Sequence, residues 1–483
     1  MGISLNPSTI LSGQGIDVSS LVQQIISEQS GELAVWQGQQ TTLATQDGLM
    51  EGMNNNLTNL QTAVAALADP LGALTAQAAT SSQPAVVTAT AQSSAIAGTH
   101  QIVVTSLATT GTLYTDPIAA GADASFLASG QSSGDIQLQV GGAGGTTHDI
   151  PITQGSNDTL NTLASYINTQ STTNGWGVTA SVVSDASGAR LALFSQNSGS
   201  TGALAIVNNS NTTLNFAAPV GGTNAVLMID GVPFSSSSNT VTGAIQGVTL
   251  NLVSQSPGNP VQLTVGPDTG QITTAINNFV SAYNTVVSTI NTQYVVDPTG
   301  ATPAPPLESD ISLRSLQSSM LTDAAYAIGG NSGLVNLASM GINMNNDGTL
   351  TVGLSPSGQT FAQVLSSNPR AVQNFFQNTS GTGFANNFNA DLTNLTDPTE
   401  GPLYVDLAQN NAEQQDLTTT INNFQTQLAA EQTQLTQQYD AVNASLQAYP
   451  LLLQEVTETL GSLSTSATTD TTNVSNPTLT SGL

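Results

Sequence analysis

The 483-residue chain has no cysteine, no lysine and only three arginines, Arg190, Arg314 and Arg370. Each shortage excludes a class of protein. Without cysteine there is no disulfide framework, no thiolate nucleophile and no cysteine-based metal site. Three scattered cations cannot form the basic stripe that displaces counterions from phosphate, so nucleic acid is excluded as a partner. With 30 Asp and Glu residues the formal charge is −27, and an anionic membrane surface is disfavoured by sign. No apolar run reaches the roughly 18 residues that cross a bilayer. The stretch from Met1 to Ser30 has neither a basic start nor a continuous apolar core, so no cleavable secretory signal is expected there, and an extracellular destination would require recognition of an uncleaved N-terminus.

Charged residues make up only 7% of the chain, against about a quarter in an ordinary domain. Hydrophobic residues, at 39%, still suffice for buried cores, so the solvated surface must consist largely of Ser, Thr, Asn and Gln. The length predicts roughly two to four structural units. Carboxylates this thinly spread mostly lack cationic partners, so the fold is expected to tolerate acid and to suit an acidic external habitat.

Two helical stretches bracket the chain. The first opens at Asp17, an N-cap before Val18, and carries apolar residues at Leu21, Ile25 and Leu33. It continues with Trp36, Leu43, Met50, Leu57 and Val64 at seven-residue intervals, and it ends at Asp69-Pro70. In the last stretch Ile421, Leu428, Leu435, Val442, Tyr449, Val456 and Leu463 keep the same interval. Unbroken, a helix over 421–463 would be about 63 Å long at about 1.5 Å per residue. Its single apolar seam needs a partner, and the N-terminal seam matches it. Pro450 lies inside the pattern and is expected to bend or divide the helix. The final stretch, 464–483, has no periodicity and reads as disordered.

Between the ends the texture is β. Strand-like runs occur at Gln101 to Leu107, Gly177 to Val183, Ala189 to Phe194, Ala225 to Ile229, Val248 to Val253 and Val261 to Val265, separated by Gly, Asn and Ser clusters. A short helix is expected over Leu160 to Ile167 with Asp158 as cap, and a longer one over Ile272 to Tyr294. Asn345-Asn346-Asp347-Gly348 predicts a hairpin turn, and Pro298 to Pro306 a loop. The fold class is therefore α+β and multidomain. Antiparallel N- and C-terminal helices form a coiled-coil leg with β-rich head domains inserted. The expected divisions are 1–70 (N-terminal leg), 71–266 (β-rich head), 267–400 (helix plus hairpin returning to the leg domain), 401–463 (C-terminal coil) and 464–483 (disordered tail).

Candidate chemistry is sparse. His148-Asp149 follows a run of glycines and reads as a polar loop rather than part of a catalytic set, since no nucleophile elbow accompanies it. No ligand cluster indicates a metal, and no cofactor motif is present. Gly13-Gln14-Gly15 precedes no Lys and is not a phosphate loop. Trp36 and Trp176 both read as packing residues. The chain is not expected to be an enzyme.

Several separate blocks resemble the flagellar filament cap family, also called hook-associated protein two. Gly13-Gln-Gly-Ile-Asp-Val-Ser-Ser-Leu-Val22 is similar to its N-terminal signature, and Gly98-Thr-His-Gln-Ile-Val-Val-Thr-Ser-Leu-Ala108 to its first head strand. The stretch 158–193 resembles a repeat shared by flagellin and hook-associated proteins. Phe279-Val-Ser-Ala-Tyr-Asn284 and Asn368-Pro-Arg-Ala-Val-Gln-Asn-Phe-Phe376 follow in family order. Lysine-free helices, Pro450 and the polar tail depart from the family pattern.

The resemblance implies a homo-oligomeric ring, usually a pentamer in the family, at the growing filament tip. Such a ring promotes flagellin polymerisation and prevents loss of monomers. It implies flagellin, hook–filament junction proteins and a flagellar export chaperone as partners, and extracellular delivery by the flagellar type III apparatus. Some family members also act as adhesins. The rival reading is a static axial subunit, flagellin or a junction protein, which shares coiled ends. The candidate assembly residues are those of the two seams: Leu21, Trp36, Leu43, Met50, Leu57 and Val64 against Ile421, Leu428, Leu435, Val442, Tyr449, Val456 and Leu463.

Overall fold

The structure, a computed structural model, describes residues 17–295, 297–301, 303–378 and 380–468. The sequence block Gly13–Ile16 and tail residues 469–483 lie outside the described residues. The first helix, α1 (Val18–Gln29), begins at the expected cap: the Asp17 carboxylate accepts the Ser20 N–H at 3.1 Å and the Ser20 hydroxyl at 2.6 Å. The single helix expected from Asp17 to Asp69 is divided. Ser30 turns its N–H to the Ile26 carbonyl (2.9 Å) and its hydroxyl to the Ser27 carbonyl (2.8 Å), closing α1, and Gly31, a poor helix former, opens α2 (Gly31–Ala68). Asp69-Pro70 then stops α2 as expected.

The chain forms two compact units. The first takes its described residues from Met1–Leu60, Asn284–Leu321 and Ala390–Leu483. It contains α1, most of α2, the end of α4 (Thr269–Thr292), most of α5 (Ile311–Ala324), the end of α8 (Phe384–Leu395), and α9 (Pro402–Thr468). Met50, Met53, Leu57, Leu60, Val286, Ile290, Leu313, Leu316 and Leu403 are buried in it. The 298–306 segment contains neither helix nor strand in its described residues, and Gln46 donates to the Pro306 carbonyl at 2.8 Å. Helix α9 is not divided at Pro450, although that residue has no N–H to offer the Leu446 carbonyl. It also continues past Leu463 to Thr468, into the stretch expected to be disordered, and no glycine or proline lies between Gly461 and Thr468 to interrupt it.

The second unit, Gln61–Tyr283 with Thr322–Asn389, holds two β cores. One is built from β1 (Gln77–Ser81), β2 (Val87–Ala91), β3 (Gly98–Ser106), β10 (Ala225–Ile229), β11 (Val232–Ser236), β12 (Thr240–Ile245), β13 (Val248–Leu252) and β14 (Val261–Pro267). A five-stranded antiparallel sheet, β1-β14-β3-β10-β11, and a three-stranded one, β12-β13-β2, share a core of Val87, Ile102, Val104, Leu227, Leu250 and Leu263. Strict alternation fixes the faces: in β14, Val261, Leu263 and Val265 are buried while Gln262 and Thr264 are exposed.

The other core is inserted between β3 and β10. Its sheets are β4-β8-β7 (Thr110–Tyr114, Gly188–Ser198, Val178–Asp185) and β6-β5-β9 (Thr146–Thr153, Ser133–Val140, Leu204–Ser210), with α3 (Leu160–Asn174) contributing Leu160, Leu163 and Ile167. The cap of α3 is Thr159 rather than Asp158. Thr159 and Thr162 bond reciprocally, while Asp158 accepts the Gly155 N–H at 3.0 Å, and the helix runs on to Gly175, whose φ of +65° ends it. His148-Asp149 is strand, not loop. It belongs to β6, and the His148 ring stacks on the buried Trp176 at 4.6 Å.

Also in this unit are the expected hairpin, β15 (Ile342–Met344) with β16 (Leu350–Val352), and the helices α6 (Phe361–Ser367) and α7 (Pro369–Phe376). Two blocks quoted from the sequence meet here: Phe375 stacks on Phe384 at 5.5 Å, and Phe279 meets the same ring edge-on at 5.5 Å.

Among the described residues two ion pairs occur, His100–Asp230 (2.8 Å) and Arg190–Asp185 (3.6 Å). Local turns bind carboxylates instead. Hydroxyl and backbone N–H groups hold Asp17 (Ser20), Asp185 (Ser187), Asp347 (Thr349) and Asp397 (Thr399) below their ordinary value of 3.8; the Gln101 N–H, and then His100, do the same for Asp230.

Leu250 is fully buried, so Leu250→Ala is expected to lower stability by about 2–5 kcal/mol in denaturant titrations followed by circular dichroism. For the carboxylates the folded state prefers the charged form. Their contribution is complete above pH 3.8 and disappears as pH falls through the lowered folded values. The melting temperature should therefore drop below that pH, and less steeply in a variant carrying Asp347→Asn and Asp397→Asn. Identical acid profiles for the two proteins would remove the turns as its cause.

Candidate assembly interface

Among the described residues neither histidine hydrogen-bonds a hydroxyl, and no group of three or more His, Asp or Glu is placed to hold a metal. No helix among them is long and apolar enough to cross a membrane.

What the first unit does present is a pairing of its terminal helices. Gln29 on α1 donates to Glu431 on α9 at 2.9 Å. Further along α2, Trp36 meets Phe424 edge-to-face at 5.2 Å, Gln40 donates to the Thr418 hydroxyl at 2.6 Å, and Asp47 accepts from Asn410 at 3.1 Å and from Gln414. Residue numbers rise on one side as they fall on the other, so the helices run antiparallel in one continuous register. The sequence explains both kinds of contact. Heptad spacing keeps apolar side chains on one stripe, and the residues flanking that stripe are amides, hydroxyls and isolated acids. Since no lysine is available, the carboxylates of Asp47 and Glu431 are met by amide N–H groups. Such bonds contribute about 0.5–1.5 kcal/mol, rising to about 1.5–3 where one partner is charged.

The expected seam residues fall into three groups. Leu21, Met50, Leu57, Val64, Ile421 and Leu428 are buried, and Trp36, Leu43 and Leu435 are half-buried. Val442, Tyr449, Val456 and Leu463 are exposed, at 49%, 62%, 52% and 62%, together with Leu453 and Leu460. The structure thus pairs the first part of the α9 stripe with α1 and with α2 as far as Asp47, leaves the last part uncovered, and places Val64 in the second unit. Sequence reading passed over the polar contacts of Gln29, Gln40, Asp47, Asn410, Gln414 and Thr418. Their one signal is position, beside the apolar stripe at complementary places on the two helices.

Truncating Trp36 and Phe424 singly and together to Ala should give a coupling energy of about 0.5–1.5 kcal/mol in a double-mutant cycle of unfolding free energies. Strict additivity would mean that the two rings do not support each other.

Residues 14–111 match the flagellar hook-associated protein 2 N-terminus, 222–449 its C-terminus, and 135–197 the flagellin hook IN motif. The B-type flagellar hook-associated protein 2 of Pseudomonas aeruginosa is 29% identical, the alignment covering 92% of this chain and 96% of that one. Flagellar hook-associated protein 2 of Escherichia coli strain K12 is 28% identical over 70% of this chain and 74% of its own length. Among solved structures, the D1-D2-D3 domains of the flagellar cap protein FliD from Escherichia coli superpose with a TM-score of 0.56 at 25% identity, covering 74% of this chain and 98% of that one. The N- and C-terminal family matches lie in order and leave only the inserted β core between them, which carries the flagellin hook motif, so the chain belongs to the flagellar hook-associated protein 2 family, whose members cap the tip of the flagellar filament.

Proposed function

We propose that this chain caps the distal end of the filament as a closed homo-oligomeric ring, a pentamer as is usual in the family, retaining flagellin at the tip until each subunit joins the lattice. The observation that carries this reading is the α9 stripe. It is paired with α1 and α2 over one stretch and carries uncovered apolar residues from Val442 to Leu463 over the next. In this reading the paired terminal helices are coiled-coil legs, the inserted β cores are the head plate, and the open part of the stripe seats against terminal helices of neighbouring axial subunits. The seam residues from Leu21 to Val64 and from Ile421 to Leu463 are then the assembly residues. Flagellin and the hook–filament junction proteins are the partners at the tip, an export chaperone protects the stripe beforehand, and the flagellar type III apparatus delivers the chain outside the cell. A surface of hydroxyls and amides supports repeated making and breaking of contacts, since few ions must be stripped of water each time.

Negative-stain electron microscopy of the purified full chain tests this. Closed rings of uniform subunit number are expected. Long filaments would instead assign the chain as a static axial subunit.

A further inference from the structure

One end of the outer β core is open. The start of β3, the β10–β11 turn and the end of β12 enclose a groove of about 520 Å³, within the range of about 300–1,000 Å³ typical of small-molecule sites. Its floor is the edge of the core itself, Ile229 and Ile245, each 8% exposed. Phe234 and Ala244 form the walls, and Ile96 and Val232 stand at the lips, both largely exposed.

The polar element of the groove is fixed in place. Asp230 and Gly231 form the two-residue turn between β10 and β11, both with positive φ (51° and 81°), and this turn returns the Asp230 carboxylate toward β3. There Asp230 accepts the Gln101 N–H at 2.8 Å through one oxygen and His100 Nδ1 at 2.8 Å through the other. A carboxylate can only accept, so Nδ1 carries the proton, and the neutral ring presents a lone pair on Nε2. That nitrogen has no hydrogen-bond partner among the described residues. It lies close to Gly98 in the groove wall: a Cβ built there would stand 3.9 Å from it.

We propose that this groove binds a small molecule with an aromatic or branched aliphatic body and a single hydrogen-bond-donating head, a hydroxyl or an ammonium, received by His100 Nε2. The body takes up the apolar floor and walls, and the head donates to the unpartnered Nε2. An acidic head is disfavoured twice, by the Asp230 carboxylate next to the ring and by the net charge of −27 on the chain. The proposal rests on the β core alone and stands or falls separately from the ring.

Saturation-transfer NMR on the full chain at pH 8, with p-cresol as the donor-headed probe and p-toluate as its carboxylate counterpart, provides the test. p-Cresol should bind, and p-toluate should bind roughly tenfold more weakly or not at all. His100→Phe keeps a ring but removes the acceptor, and should weaken p-cresol by a similar factor. Ala244→Trp fills the groove and should abolish the signal. If circular dichroism shows that this variant is unfolded, Val232→Trp at the exposed lip serves the same purpose. Absence of p-cresol binding at millimolar concentration, equal binding of the two probes, unchanged p-cresol affinity in His100→Phe, or a p-cresol signal that survives the filled groove would each overturn the assignment.

Discussion

A helix of 67 residues with a single apolar stripe is stable only while something covers that stripe, because helix propensity alone contributes too little in water. This constraint organises the first unit. It requires a second stripe of the same period, which α1 and α2 supply, and the two lie antiparallel, as Gln29–Glu431, Trp36–Phe424 and Gln40–Thr418 record in turn. It also makes the uncovered length from Val442 onward conspicuous, since exposed apolar residues at regular heptad spacing are the ordinary signature of a surface awaiting a partner.

The second constraint is the scarcity of cations. With three arginines and no lysine, acidic side chains must be accommodated without ion pairs, and the chain does this locally. Asp-x-Ser/Thr turns recur at Asp185, Asp297, Asp347 and Asp397, each carboxylate accepting the N–H and the hydroxyl of the residue two places on. Between helices, amides of Asn and Gln take the place that lysine would occupy.

How much was legible in the sequence depended on the kind of signal. Strands with strict alternation, such as Val261–Val265 and Ala225–Ile229, could be read directly, and so could the Asp17 cap and the Asp347-Gly348 turn. Polar strands could not. Thr146–Thr153 carries His148 and Asp149 on positions that look like loop, and its buried residues, Ile150 and Ile152, are too few to set a period. The division at Ser30-Gly31 was obscured because the heptad resumes on the far side. For the candidate interface the apolar seam was visible in advance, but its polar flanks were not, since an amide pair leaves no periodic trace. Helix α8 meets both α4 and α7 through aromatic rings, and clusters of that kind depend on tertiary placement rather than on spacing along the chain.

The insertion of one β core into another has a kinetic consequence. β1 must find β14, with Ser81 opposite Leu263, so that the whole inner core lies between two strands that have to pair. If the inner core folds first, as its self-contained sheets and helix allow, it joins the ends of β3 and β10 into a short effective connection, and the entropy of closing the outer sandwich falls accordingly. The inner core is thus a scaffold for the fold around it, and damage to it would slow the pairing of β1 with β14.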